Sequence, residues 1–267
     1  SSGLVGSEMC IRDRTKIMKI RIFMLVALFV TTMGFSQRNP NNTYMSTFTY
    51  KAKAGMVDKF EKAAEKKTKM FNKEEGSIIF TYRILTGNNS GAYERYLVRQ
   101  SNKSYDMDRS EELAYWEKNV APYADPIGGQ ARWMYEDWAS IGDQTEPPKY
   151  LHKTIMFYKP GMRDHVARSI YRSGKVLEKR NPNAFRRAFS PVSGGGLNVL
   201  VVFSGFDEFG AEWGDMETTW EEDYNEMFGW EQYSNDQKMR DKSLREWNGM
   251  SRTCLLYTSP SPRDLMR

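Results

Sequence analysis

Cysteine and histidine are nearly absent. The 267-residue chain has two cysteines, Cys10 and Cys254, and two histidines, His152 and His165. That scarcity excludes a disulfide-dense scaffold and a zinc site built from thiolates and imidazoles. Long apolar runs are missing too: the longest, IFMLVALFV at Ile22 to Val30, has nine residues, against roughly 20 for a membrane-spanning helix. No G-x-S-x-G elbow, H-E-x-x-H pair, P-loop or G-x-G-x-x-G before a helix occurs. Gly194-Gly195-Gly196 falls between two strand-like runs and reads as a turn. What is plentiful is apolar and aromatic content, 40% and 13%, enough for a substantial core and too much for a disordered chain.

The two ends read as foreign to the fold. Leu4 to Asp13 (LVGSEMCIRD) and Cys254 to Asp264 (CLLYTSPSPRD) resemble translated sequencing-library adapter. One permitted back-translation of the second contains the reverse complement of one for the first. Residues 1–14 and 254–267 are therefore expected to be adapter-derived, which removes both cysteines from the chemistry and leaves the natural C-terminus beyond Thr253 open.

Met18 reads as the initiator. Lys19 and Arg21 precede the apolar run, and Thr31 to Gln37 (TTMGFSQ) supplies small and polar residues suited to cleavage. Residues 18–37 thus read as a signal peptide, and the protein is expected to be exported, periplasmic or extracellular. No cysteine follows that would carry a lipid, so no stable membrane anchor is expected. The net charge of +5 shrinks once these segments are set aside, because Arg38 to Thr253 holds 32 basic and 31 acidic residues. Nucleic acid is not an expected partner. Charge is segregated nonetheless: eleven basic and two acidic residues between Lys149 and Arg187, then ten acidic and no basic ones between Asp207 and Glu231. Solvated helix faces account for this, and so does an electrostatic dock.

An internal repeat with an offset near 105 residues organises the rest. Tyr44 to Lys53 is strand-like and leads through Ala54-Gly55-Met56 into a helix. Tyr150 to Lys159 does the same through Pro160-Gly161-Met162. Val57, Phe60, Ala64 and Phe71 share one helix face, as do Val166, Ile170, Ser173 and Leu177. Ser77 to Leu85 and Tyr93 to Gln100 read as one hairpin; Phe185 to Phe189 and Asn198 to Phe203 read as another. Further helices are expected through Leu113, Trp116 and Val120, and through Phe206, Phe209, Trp213, Met216, Trp220 and Met227. Each half is then a β-α-β-β-α-β unit of the ferredoxin-like kind. The units are residues 44–146 and 149–253, joined at Pro147-Pro148.

The opening of each half (Tyr50, Lys51, Gly55, Met56; Tyr158, Lys159, Gly161, Met162) resembles the dimeric α/β-barrel superfamily, which includes antibiotic-biosynthesis monooxygenase-like, EthD-like and NIPSNAP-like proteins. The resemblance spans roughly Tyr44 to Met227 and carries no catalytic signature. It implies an α+β protein of two tandem ferredoxin-like units packed sheet to sheet, an intramolecular dimeric α/β barrel.

Tyr50, Tyr82, Tyr96, Trp116, Tyr158, Trp213 and Trp220 are expected between sheet and helices, mostly as core. The candidate ligand pocket is formed by Tyr82, Trp116 and Trp213, with His152 or Arg83 as polar anchor. His152 alternates with Thr154 and Met156 on a strand, while His165 sits on the first turn of a helix. Neither histidine matches a haem-ligand position. The expectation is a non-catalytic binding protein for a small apolar or aromatic ligand or a protein partner, without a cofactor. The alternative is a cofactor-independent monooxygenase-like enzyme, which needs only one or two polar residues in a dry cavity. A purely structural module is a third reading.

Overall fold

The computed structural model describes residues 43–142, 146–209 and 217–259. The signal-like segment, the first adapter-like segment and Trp213 lie outside the described residues. From Thr43 onward the chain forms one compact unit. Its first half runs β1 (Tyr44–Ala52), α1 (Val57–Phe71), β2 (Ile79–Ile84), β3 (Tyr93–Gln100), α2 (Ser110–Asn119), β4 (Ala124–Pro126) and β5 (Ala131–Tyr135). The second half runs β6 (Tyr150–Phe157), α3 (Arg163–Arg180), β7 (Phe185–Ser193), β8 (Val199–Phe206), α4 (Trp220–Phe228), α5 (Gln232–Ser243) and β9 (Met250–Ser259).

Both halves turn from first strand to first helix in the same way. Met56 N–H donates to the Lys53 carbonyl at 2.9 Å and Met162 N–H to the Lys159 carbonyl at 3.0 Å. Gly55 and Gly161 hold φ of 72° and 76°, a left-handed conformation that glycine adopts at little cost and that this turn requires.

Hydrogen bonding closes the strands into a ring: β3 joins β2, β9, β6, β8, β7, β5 and β1 in turn, and β1 returns to β3. Every pairing is antiparallel. The result is an α+β protein with a closed antiparallel β-barrel. The three-residue β4 lies against the far end of β1, where Tyr50 meets Pro126. One extra residue in β3, between the Tyr44–Gln100 and Ser46–Leu97 pairings, forms a bulge with Arg99 at φ 54°.

Three apolar clusters follow from this closure. The barrel interior is filled by Met45, Tyr82, Ile84, Tyr96, Leu151, Phe189, Val201, Phe203 and Leu255, among others. Outside it, α1 and α2 press Phe60, Ala64, Trp116 and Val120 onto Tyr93 of the first-half strands. Val166 and Ile170 of α3, with Leu244 after α5, cover Met156, Ala188, Leu200 and Val202. Strands are thus covered on both faces, and Val199 to Phe203 are all buried.

Two expectations change. The helix expected to start at Phe206 does not start there: Phe206 ends β8, residues 210–216 lie outside the description, and α4 begins at Trp220. Thr219 sets that start through a capping box. Its hydroxyl accepts from Glu222 N–H at 3.2 Å, and the Glu222 carboxylate accepts from Thr219 N–H at 2.7 Å. Leu113, expected on the inner face of α2, is exposed. The segregated charges meet within the second half: Lys179 and Arg180 of α3 bond Asp223 of α4 at 2.9 and 2.5 Å; just past the acidic stretch, Asp236 of α5 takes Arg172 at 2.7 Å. Among the described residues no helix is long and apolar enough to cross a membrane.

Candidate functional site

The expected site residues do not converge. Tyr82 points into the barrel, Arg83 is exposed on the other face of β2, Trp116 lies under the first-half helices, and His152 lies under the second-half helices. His165 is half-buried on the first turn of α3. The physical reason is the alternation of strand side chains: neighbours such as Tyr82 and Arg83 serve opposite faces, and in this barrel those faces line different spaces.

The barrel holds a cavity of about 270 Å³ bordered by Tyr82, Tyr96, Leu151, Phe189 and Phe203. Two of its phenols are committed to partners at the rim and wall. Tyr82 Oη donates to the Pro148 carbonyl at 3.2 Å. Tyr96 Oη donates to Glu94, whose two carboxylate oxygens accept from Lys153 Nζ at 2.8 Å each. Burial, joined by the Glu94 charge at Tyr96, holds both phenols well above their ordinary pKa. Neither His152 nor Arg83 borders this cavity.

A second space, about 340 Å³, lies between the outer face of the first-half strands and helices α1 and α2. Phe48, Tyr50, Ile79 and Trp116 give it apolar and aromatic walls. The Tyr50 and Trp116 rings sit 4.8 Å apart. Its polar side is an unusual concentration of charge, in which Lys67, Arg95 and Glu112 are only 3, 3 and 6% exposed. Lys67 Nζ donates to Asn72 Oδ1 at 2.9 Å and to Glu112 Oε1. Arg109 grips the same carboxylate with two bonds of 2.6 Å. Arg95 donates to Thr68 Oγ1 at 2.7 Å and to Thr81 Oγ1 at 3.3 Å, with its guanidinium 4.7 Å from the Trp116 ring centre.

Three cations thus face one carboxylate. Burial and the Arg95 charge, against the pull of Glu112, lower Lys67 to about 7. Burial would raise Glu112, but the Arg109 bonds and the Lys67 charge hold it down at about 2. Burial also lowers Arg95 to about 10. Near neutral pH the cluster therefore offers an amine able to take a proton beside a guanidinium able to hold an anion. A depressed lysine in an aromatic cleft is a recurrent mark of a functional site.

Sequence reading missed Lys67, Arg95, Arg109 and Glu112. A signal was present: Lys67 continues the Phe60–Ala64 stripe toward Phe71, and Arg95 falls between Tyr93 and Leu97 on one strand face. Charged side chains in apolar positions are the exception worth pursuing.

The third space, about 350 Å³, lies in the corresponding place in the second half and contains His152. Among the described residues, no group of three or more histidine, cysteine or acidic side chains is arranged to hold a metal ion.

No protein-family model matches the chain, and no curated protein matches its sequence. Solved structures do match its fold. A provisionally assigned monooxygenase from Lactobacillus acidophilus aligns at 9% identity and TM-score 0.52, covering 82% of this chain and 95% of that one. A similarly assigned monooxygenase from Fusobacterium nucleatum aligns at 12% identity and TM-score 0.52, covering 82% and 93%. A provisionally assigned chlorite dismutase aligns at 12% identity and TM-score 0.47, covering 84% and 97%. This chain shares the fold of the two monooxygenase structures. At such identities the likeness establishes the fold and leaves the reaction to the residues.

One expectation is corrected at this point. A non-catalytic binding protein gives way to the enzyme reading, because the neighbours on this fold are described as enzymes.

Proposed function

We propose that the protein is a cofactor-independent monooxygenase-like enzyme acting on an electron-rich, enolisable aromatic compound, with its active site in the first-half cleft. The observation that carries this reading is the convergence of Lys67 and Arg95 on an aromatic-walled space. Lys67 as the free amine takes a proton from the substrate's acidic C–H. Arg95 holds the resulting enolate by charge, and Tyr50 and Trp116 stack on its rings. The enolate then supplies the electrons to dioxygen. In balance, a CH₂ group and O₂ become C=O and H₂O, one oxygen atom entering the product and the other leaving as water. Burial strengthens the Arg95–enolate attraction and excludes bulk water from the reactive carbanion.

The same reading treats the halves as two ferredoxin-like units from one duplicated plan. Support comes from their matching strand orders, β5-β1-β3-β2 and β9-β6-β8-β7, and from the shared glycine turns. Export is proposed from the segment at Met18–Gln37, so the substrate would be met outside the cytoplasm.

The test is oxygen consumption by the full chain with a panel of enolisable polycyclic ketones. Substrate-dependent uptake is expected, and Lys67→Met should lower kcat/KM by at least about 100-fold, the scale of a lost general base. Uptake that is absent throughout the panel, or indifferent to Lys67→Met, would overturn the proposal.

A further inference from the structure

The second-half cleft carries a different chemistry. Its walls combine Met156, Ile170, Val202 and Trp220 with Arg186, Arg252 and His152, and no carboxylate borders it among the described residues. Arg186 is the anomaly. It rises from β7 beneath α3 and is only 5% exposed. Its Nη1 donates to two neutral acceptors, the Ile170 carbonyl at 3.3 Å and Ser173 Oγ at 3.1 Å. Its Nε is buried without any hydrogen-bond partner. A buried guanidinium without a carboxylate is costly, and proteins keep such a charge where something else compensates it. Arg252 adds to the cost, because with burial its charge lowers Arg186 to about 10.

The repeat sharpens the contrast. The offset that carries Gly55 to Gly161 carries Lys67 to Ser173. Where the first half has a lysine bonded to a carboxylate, the second has a hydroxyl bonded to an arginine.

We infer that this cleft is a second binding site, for a small organic anion whose carboxylate or phosphate pairs with Arg186 and Arg252 while its apolar body lies against Trp220 and Met156. The site is separate from the first-half cleft and does not depend on the reaction proposed there. Arginine suits the task because its planar fork matches both head groups.

Calorimetric titration of the full chain with benzoate and with inorganic phosphate tests this, alongside thermal melting at each concentration. Saturable binding of at least one probe is expected, with a melting temperature that climbs with its concentration. Tighter binding of benzoate would identify a carboxylate ligand, and tighter binding of phosphate a phosphorylated one. Arg186→Met should weaken binding at least tenfold and melt no lower than the parent in anion-free buffer, since it removes an uncompensated charge. Arg252→Met, at an exposed strand position, keeps the test sound if Arg186→Met fails to fold, and it should also weaken binding about tenfold. No binding of either probe to the parent chain, or binding unchanged in both variants, would overturn the inference.

Discussion

A lysine on the buried stripe of an amphipathic helix gives up its proton more readily for two reasons. Water no longer solvates its ammonium, and here Arg95 and Arg109 stand close by. If Lys67 is the base, kcat/KM should rise with pH and level off above about 7, because only the free amine accepts a proton. A pH–rate profile of parent and Lys67→Met checks this: the rise should vanish in the variant. An enzyme using Lys67 only as a cation would instead lose activity as pH climbs through the same value. At this scale the sequence was partly legible. Helix periodicity placed Phe60 and Ala64 inward correctly and therefore placed Lys67 with them. It could not show that Glu112 and Arg109, some 40 residues on, would arrive against that lysine, since nothing in local spacing encodes the meeting of α1 with α2.

Elements were legible where periodicity and turn chemistry agreed. The hairpin of β2 and β3 and the helices α1 and α3 fall close to where alternation and three-to-four spacing place them. The failure at Phe206 has a specific cause. Apolar residues at Phe206, Phe209, Trp213 and Met216 keep helical spacing, yet the chain at Phe206 is already paired to Tyr150 of β6, and sheet hydrogen bonds outweigh a weak helical pattern. The Thr219–Glu222 box is the better marker of where α4 begins. Thr219→Ala should cost about 1 kcal/mol, measured as a lower denaturation midpoint with an unchanged slope. Arg180 and Lys179 would still hold Asp223, so α4 should stay docked in that variant.

For the whole molecule, the repeat made the two-half plan visible, but not which strand face looks where. Alternation names two faces; when helices cover one and a closed barrel encloses the other, both read as buried. Tyr82, expected between sheet and helices, lies inside the barrel for that reason. Inside the barrel, Lys153 of β6 reaches Glu94 of β3, joining the halves through a pair shielded from water. Removing one member of such a pair strands the other. Lys153→Met should therefore destabilise the fold by about 3 kcal/mol or more. Adding Glu94→Leu should recover part of the loss, and a double-mutant cycle in denaturant would measure the coupling.

The last strand has a consequence for how the molecule keeps to itself. Every residue of β9 that pairs with β2 lies between Leu255 and Ser259, past Thr253 and within the stretch that reads as adapter. A chain cut after Thr253 would keep part of its ladder to β6 yet leave β2 with an open row of amides and carbonyls. Such an edge invites strands from other molecules. The shortened chain should accordingly form oligomers or aggregates by light scattering at concentrations where the longer one stays dispersed. Leu255 and Tyr257, whose side chains pack with the barrel interior while their strand pairs with β2, are thus what keeps that edge covered.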